Sequence, residues 1–355
     1  MAAKRLIICC DGTWQADDDE QPSNVARLHQ LLVGQDPHGV VQRSFYQGGV
    51  GTDPVRGRLR RRMRRAAAGA FGWGLDEHIR EAYRWLIREF EPGDELFLFG
   101  FSRGAYTVRS LTGLIRNCGL LLPRYSDLVD RAMKHYRARG ASSHPDAPAS
   151  TAFRSNYSHD YVRVRFLGVW DTVGALGIPA WFGMPARLLN RHYEFHDVRL
   201  SRMVERACHA LAIDERRRSF KPSLWKQCDG RPREGIEQVW FAGVHGDVGG
   251  GYAKRGLSDL TLRWMVKRAK VSGLAVDVDR YRQLVNPDWC AEIHDSRWAV
   301  HHLPLVGQVS TAVRPISSEH WQFIHRSAAK RLRKKAHYAP PNLTSAVESG
   351  VPQTA

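Results

Sequence analysis

The sequence predicts an α/β fold: a mostly parallel central sheet flanked by helices, interrupted by a helical insertion. Three observations carry this. Short apolar runs alternate along the chain with longer runs of helical period, the pattern of strands covered by helices on both faces. Several of the short runs end in glycine-rich or acidic turns, where parallel sheets place their ligand sites. With 355 residues, 43% hydrophobic and 25% charged, the chain can bury the core that one large domain needs.

Residues 6–10 form the first strand, ending at Asp11-Gly12-Thr13-Trp14. Residues 44–47 make a short strand closed by Gly48-Gly49-Val50-Gly51. Residues 75–90 carry Ile79, Ala82, Tyr83, Leu86 and Ile87 at helical spacing, until Pro92-Gly93-Asp94 turns the chain into an apolar strand over 95–99. A helical run follows at 105–111. Residues 123–160 read as the insertion, with a helix near 128–139. The next strand is 162–169, ending Trp170-Asp171-Thr172. Residues 205–213 read as a helix, 238–244 as the last clear strand, and 258–270 as a helix. The α/β domain thus occupies 1–274. Residues 275–338 form an extension packed on it, and the polar, proline-bearing stretch 339–355 is expected to be disordered. There are no internal repeats.

The formal charge is +17, concentrated in the runs from Arg56 to Arg65 and from Arg326 to Lys335. Such runs are either solvated faces or attractors of an anionic surface. Leu59 and Met63, spaced i, i+4 within the first run, suggest a stripe suited to a lipid surface. Nucleic acid is disfavoured because no nucleic-acid fold motif occurs. Six cysteines do not make a disulfide framework. The pair Cys9-Cys10 points to opposite faces of a strand, and no Cys-x-x-Cys occurs. No apolar run reaches the ~20 residues of a membrane span, and the N-terminus lacks a signal-peptide pattern. A cytoplasmic location is therefore the default expectation, with non-classical secretion open. The acidic run Asp17-Asp18-Asp19-Glu20 lacks the ligand spacing of a calcium loop and reads as solvated. No metal and no cofactor are expected.

The most specific stretch is Gly100-Phe101-Ser102-Arg103-Gly104, placed between a strand and a helix. This is the Gly-x-Ser-x-Gly nucleophile elbow of α/β-hydrolases, a turn tight enough to require small residues on both sides of the serine. A serine hydroxyl needs a base, and the base needs an acid to set its tautomer. Asp171, just past a buried strand, is the candidate acid. His245, in His245-Gly246-Asp247-Val248-Gly249-Gly250-Gly251 after the last strand, is the candidate base. His192, His196, His209, His301 and His302 fall in helical or irregular runs suited to solvated or core roles. The oxyanion hole would combine the N–H of Arg103 with one from Gly12 or Thr13. Three further carboxylates are supporting candidates: Asp11 beside that loop, Asp247 as an alternative orienter, and Asp214 in a segment that reads as a buried salt-bridge network. A phosphatase of the haloacid-dehalogenase type is excluded, because Cys9 stands where the nucleophilic aspartate of Asp-x-Asp-Gly-Thr would be.

The ordered set Cys10-Asp11-Gly12-Thr13-Trp14, Tyr46-Gln47-Gly48-Gly49-Val50-Gly51-Thr52, Gly100-Phe101-Ser102-Arg103-Gly104-Ala105-Tyr106, Val169-Trp170-Asp171-Thr172-Val173-Gly174, Ala212-Ile213-Asp214-Glu215-Arg216-Arg217 and residues 240–252 covers about residues 5–270. It resembles the uncharacterised α/β-hydrolase domain shared with type VI secretion phospholipase effectors. The resemblance implies a Ser-Asp-His hydrolase with Ser102, Asp171 and His245 on the triad positions, and phospholipase A activity for the secreted members. The chain is shorter than those effectors and shows no obvious anchoring or secretion-partner module beyond the core. The expectation is a serine ester hydrolase acting on phospholipids or related lipids, with Trp14, Trp170 and Trp240 lining an acyl pocket. Two alternatives stay open: a soluble esterase, thioesterase or amidase with a small substrate, and a non-catalytic basic binding protein on a hydrolase fold.

Overall fold

The structure, a computed structural model, describes residues 3–12, 20–49, 73–138, 140–173, 200–225, 234–296 and 311–354. Near one side of its sheet, β1 (Arg5–Cys10) runs parallel between β2 (Gln42–Gln47) and β3 (Glu95–Phe101). From β3 the sheet extends one way through β4 (Arg163–Trp170), β5 (Val204–Ala212), β6 (Ile236–Phe241), β7 (Gln322–His325) and β8 (Gln353–Thr354). The result is an eight-stranded sheet of order β2-β1-β3-β4-β5-β6-β7-β8, with every pairing parallel. Helices cover both faces, an α/β-hydrolase-like architecture. The chain leaves β1 in one direction to reach β2, then crosses to the other side for β3. That reversal opens a crevice at the carboxyl ends of β1 and β3, where open parallel sheets bind their ligands.

Alternation along β1 sorts the core into layers. Leu6, Ile8 and Cys10 join one apolar cluster with α2 (Trp73–Glu89), α3 (Arg103–Cys118) and α4 (Val129–Arg137). Ile7 and Cys9 face a second cluster under α1 (Asn24–Leu31), α7 (Gly256–Val271) and α8 (Val278–Leu284). A third cluster at the far end joins Leu211, Trp240 and Ile324 to α9 (Arg326–Lys334) and α10 (Pro341–Glu348).

The insertion after α3 consists of α4 and α5 (Pro148–Tyr157). It packs on the flank of α3, and its two ends meet where Leu122 N–H donates to Tyr157 O (2.9 Å). They meet near the C-terminus of α3, away from the edge where β3 ends. Arg137 reaches back from it to Asp76 (2.5 Å) and to the Tyr106 hydroxyl (3.1 Å).

Two expectations need correction. Residues 205–213 form β5, not a helix. The alanines that suggest helix are, like Cys208, small enough to be buried between two helical layers, and Ala207, Cys208, Ala210, Leu211 and Ala212 are fully buried. Between β4 and β6 the backbone finds ladder partners on both sides, so context overrides local propensity. The stretch expected to be a disordered tail instead supplies α10 and β8. Leu343 and Ala346 are buried there, and Asn342 donates to Ile213 O (3.1 Å) and Arg314 O (3.0 Å).

Candidate active site

At the end of β3, Ser102 adopts φ 54°, ψ −114°, a conformation that L-residues avoid and that persists only when surroundings force it. The forcing is steric. A Cβ on Gly100 would lie 2.5 Å from Gly104 O, and one on Gly104 would lie 2.0 Å from Cys10 O. The first turn of α3 is thus pressed onto the ends of β1 and β3. Ser102 N–H donates to Trp170 O (3.0 Å), tying the elbow to β4. The serine hydroxyl does not cap α3. Arg103 opens that helix, so its amide lies at the positively polarised end.

Gly12 sits beside Ser102: a Cβ there would be 3.4 Å from Ser102 Cβ. Its N–H donates to Asp11 Oδ1 (2.6 Å). Asp11 Oδ2 accepts from the Ser23 hydroxyl (2.6 Å) and the Tyr46 hydroxyl (2.9 Å). Ser23 in turn caps α1 by accepting from Val25 and Ala26 N–H. Asp11 therefore ties the rim of the crevice together and engages the Gly12 amide. Thr13 lies outside the described residues, as do Trp14, residues 17–19, the run from Arg56 to Arg65, and His192, His196, His301 and His302.

Asp171 follows β4 with φ 39° and is fully buried. Its Oδ2 lies 2.5 Å from His245 Nδ1. Its Oδ1 accepts from Ala212 N–H (3.1 Å) and Arg314 Nη1 (2.7 Å), and Arg314 Nη2 reaches Oδ2 (3.1 Å). Burial alone would favour the neutral acid, but the Arg314 charge and the His245 bond outweigh it and hold the carboxyl well below the usual range. His245 is the first residue of the short helix α6 (His245–Gly249). Its ring lies between Phe101 (4.7 Å between centroids) and Phe220 (5.0 Å). With Nδ1 turned to Asp171, Nε2 is left for other chemistry.

The neighbouring carboxylates hold this loop in place. Buried Glu215 accepts the His245 N–H (3.2 Å), the Ser296 hydroxyl (3.2 Å) and a double contact from the Arg217 side chain (2.9 and 2.8 Å). Burial opposes its charge, yet the Arg217 hydrogen bond and charge lower its pKa. Asp247 accepts Val244 N–H (3.0 Å) and meets His294 Nδ1 (2.6 Å). It orders the glycine-rich loop, whereas the partner of His245 is Asp171. Asp214 accepts Gly243 N–H (2.6 Å) and the Tyr338 hydroxyl (3.0 Å). Behind the loop lies an open cavity of about 670 Å³, bordered by Asp214, Arg216, Val244, His294 and Ser296.

Ser102, Gly12, Asp171 and His245 thus converge on the carboxyl edge of the sheet. Arg314, Glu215, His294 and Phe220 join them without any sequence motif of their own, apart from the acidic-basic run around Glu215. Trp170 and Trp240 do not line a pocket: both are fully buried, in separate core clusters. His209 is a core residue whose Nε2 accepts Thr172 N–H (3.1 Å), and burial lowers its pKa to about 3. Among the described residues, no group of three His, Cys, Asp or Glu could hold a metal ion, and no helix is long and apolar enough to cross a membrane.

Residues 4–268 match the family described as T6SS phospholipase effector Tle1-like, catalytic domain. An uncharacterised protein of Saccharomyces cerevisiae is 33% identical over 233 residues, covering 62% of this chain and 32% of the yeast protein. The chain therefore spans about a third of that relative's length. An uncharacterised protein from Pseudomonas aeruginosa has a crystal structure similar at TM-score 0.45 and 20% identity, covering 79% of this chain and 47% of that one. The Tle1 effector in complex with the VgrG spike of the type 6 secretion system gives TM-score 0.38 and 17% identity, over 71% and 52% of the two chains.

Proposed function

The chain belongs to the Tle1-like phospholipase effector catalytic-domain family, and on that premise we propose that it is a serine ester hydrolase using Ser102, His245 and Asp171, with the acyl esters of phospholipids as substrate. The reading is carried by one observation: the Asp171–His245 bond (2.5 Å) lies at the sheet edge where Ser102 is held in a strained elbow.

In this mechanism His245 Nε2 takes the Ser102 proton as Oγ attacks the ester carbonyl. Asp171, kept ionised, holds the ring and faces the imidazolium that forms. The oxyanion rests against the Arg103 amide at the start of α3 and an amide of the Gly12-Thr13 loop. With the Gly12 N–H engaged by Asp11, Thr13 becomes the preferred second donor. His245 then protonates the departing lysolipid or glycerol oxygen. Water, activated by the same imidazole, releases the fatty acid. Exposed Arg326, Lys330, Arg333 and Lys334 on α9 would draw the protein towards an anionic bilayer.

The test is labelling with a fluorophosphonate, followed by assay on phospholipid vesicles and on a soluble short-chain ester. The expected outcome is an adduct on Ser102, absent from Ser102→Ala, and fatty acid released from vesicles with a rate loss of about 10⁴-fold or more in that variant. A folded wild type that takes no label would sink the serine-hydrolase reading. Turnover of the short ester alone would replace the phospholipid with a small soluble substrate.

A further inference from the structure

We propose that Arg314 is a positioning residue of the hydrolytic site, which fixes the Asp171 carboxylate against His245 and makes the C-terminal segment 311–354 part of the catalytic apparatus. The proposal rests on the triad reading above.

Arg314 lies beyond residues 4–268, the span that matches the family. Its guanidinium is nonetheless committed to the site. Nη1 donates to Asp171 Oδ1 (2.7 Å) and Ala212 O (2.9 Å), and Nη2 to Asp171 Oδ2 (3.1 Å) and Phe220 O. Only 5% of the side chain is exposed, against 0% for Asp171. The planar fork of arginine can meet both carboxylate oxygens at once, which a lysine ammonium cannot. With Ala212 N–H and His245 Nδ1 added, Asp171 is held by donors from three separate segments, so its plane and the direction of its bond to His245 are set.

The backbone around Arg314 is pinned just as firmly. Ala312 N–H donates to Arg216 O (2.8 Å), Thr311 bridges Arg217, and Asn342 Nδ2 donates to both Arg314 O (3.0 Å) and Ile213 O (3.1 Å). The Phe220 carbonyl that Arg314 holds belongs to the residue whose ring packs edge-on against His245. One arginine thus orients the acid directly and one wall of the base indirectly.

This arrangement has an electrostatic consequence that a purely structural ion pair elsewhere would not have. The cation meets both oxygens of the carboxylate, one of them the oxygen that faces the imidazole, and offsets part of its field. Removing it leaves Asp171 with more negative potential at His245 and favours the imidazolium. The other charged groups facing the pair are Glu215 with Arg217 at the His245 amide, and Asp247 with His294 on the α6 side. These stay in place when Arg314 is changed. Neutral His209 lies beside Thr172.

The experiment compares full-length wild type, Arg314→Lys and Arg314→Met. Each is checked for folding by circular dichroism and labelled with fluorophosphonate across pH. Arg314→Met should label Ser102 about 10- to 100-fold more slowly, the usual cost of a misplaced reacting group. The acidic limb of its labelling profile should move to higher pH. Arg314→Lys keeps the charge but loses the fork, so the rate should fall about 10-fold while the acidic limb of the profile stays in place. Folded variants that label at the wild-type rate with an unmoved acidic limb overturn the proposal. Where Arg314→Met does not fold, a wild-type rate in Arg314→Lys does so alone. Failure of the triad reading looks different, because the wild type itself then takes no label on Ser102.

Discussion

Around Ser102 the constraint comes from residues two positions away, Gly100 and Gly104; around His245 it comes from Asp171, 74 positions away, and through it from Arg314, a further 143 positions along the chain from Asp171. The Ser102 wall is therefore built by backbone sterics, Gly100 against Gly104 and Gly104 against Cys10 of β1, which need no charge. The Asp171–His245 wall is built from buried ionisable groups, each dependent on another for its charge to be tolerated. The two should fail differently. A fault in the first should be a packing fault that is insensitive to pH, whereas a fault in the second should be electrostatic and propagate along the chain of charges.

The largest expected effect is Asp171→Asn. Hydrolysis should fall about 10⁴-fold, because the base loses its orienting anion. The same change leaves the Arg314 guanidinium buried without a counter-charge, so stability should also fall by about 3–5 kcal/mol. Its pH dependence sharpens the comparison. The folded-state pKa of Asp171 is lowered, chiefly by Arg314 acting against burial. Its contribution is therefore present above the unfolded carboxylate pKa of about 4 and lost as pH falls from there towards the folded value. Urea unfolding at pH 7, 4 and 3 should show wild type losing stability over that range and the variant losing less. Parallel curves would mean that the charge of Asp171 is not what secures this wall.

Gly104→Ala probes the other wall. Its Cβ would meet the Cys10 carbonyl at 2.0 Å, and backbone cannot swing aside as a flexible side chain can. The expected cost is at least about 3 kcal/mol, equal at pH 7 and pH 4 because no titrating group is involved. A cost that changed with pH would show that α3 and the charged wall are coupled.

The same contrast explains what was legible in the sequence. The elbow could be read because its requirement is local: glycines flanking a serine between a strand and a helix. The pairing of Asp171 with His245 could be read because each follows a buried strand in a short motif. Arg314 could not. It is one of 53 lysines and arginines, in a stretch of no visible period, and only tertiary contact distinguishes it. Residues 205–213 misled for a related reason, since alanine suits a helix locally and, being small, a doubly covered strand globally. The tail misled because its polar composition hides the few buried residues, Asn342, Leu343 and Ala346, that dock it. In each case the missing information is the identity of a partner far along the chain.

Tyr338→Phe tests the smallest of these distant ties. The Tyr338 hydroxyl donates to Asp214 Oδ2 (3.0 Å), which also accepts Gly243 N–H (2.6 Å) two residues before His245. Burial raises the Asp214 pKa against these two bonds, so deleting the hydroxyl should raise it further. The bond to the charged carboxylate is then lost where Asp214 is ionised and matters less where it is protonated. Stability should drop by about 1 kcal/mol at pH 7, with a smaller deficit at pH 4. Hydrolysis should stay within about twofold of wild type, since Glu215 rather than Asp214 holds the His245 amide. A collapse of activity at full stability would instead make Tyr338 a second point, after Arg314, through which the C-terminal segment controls the base.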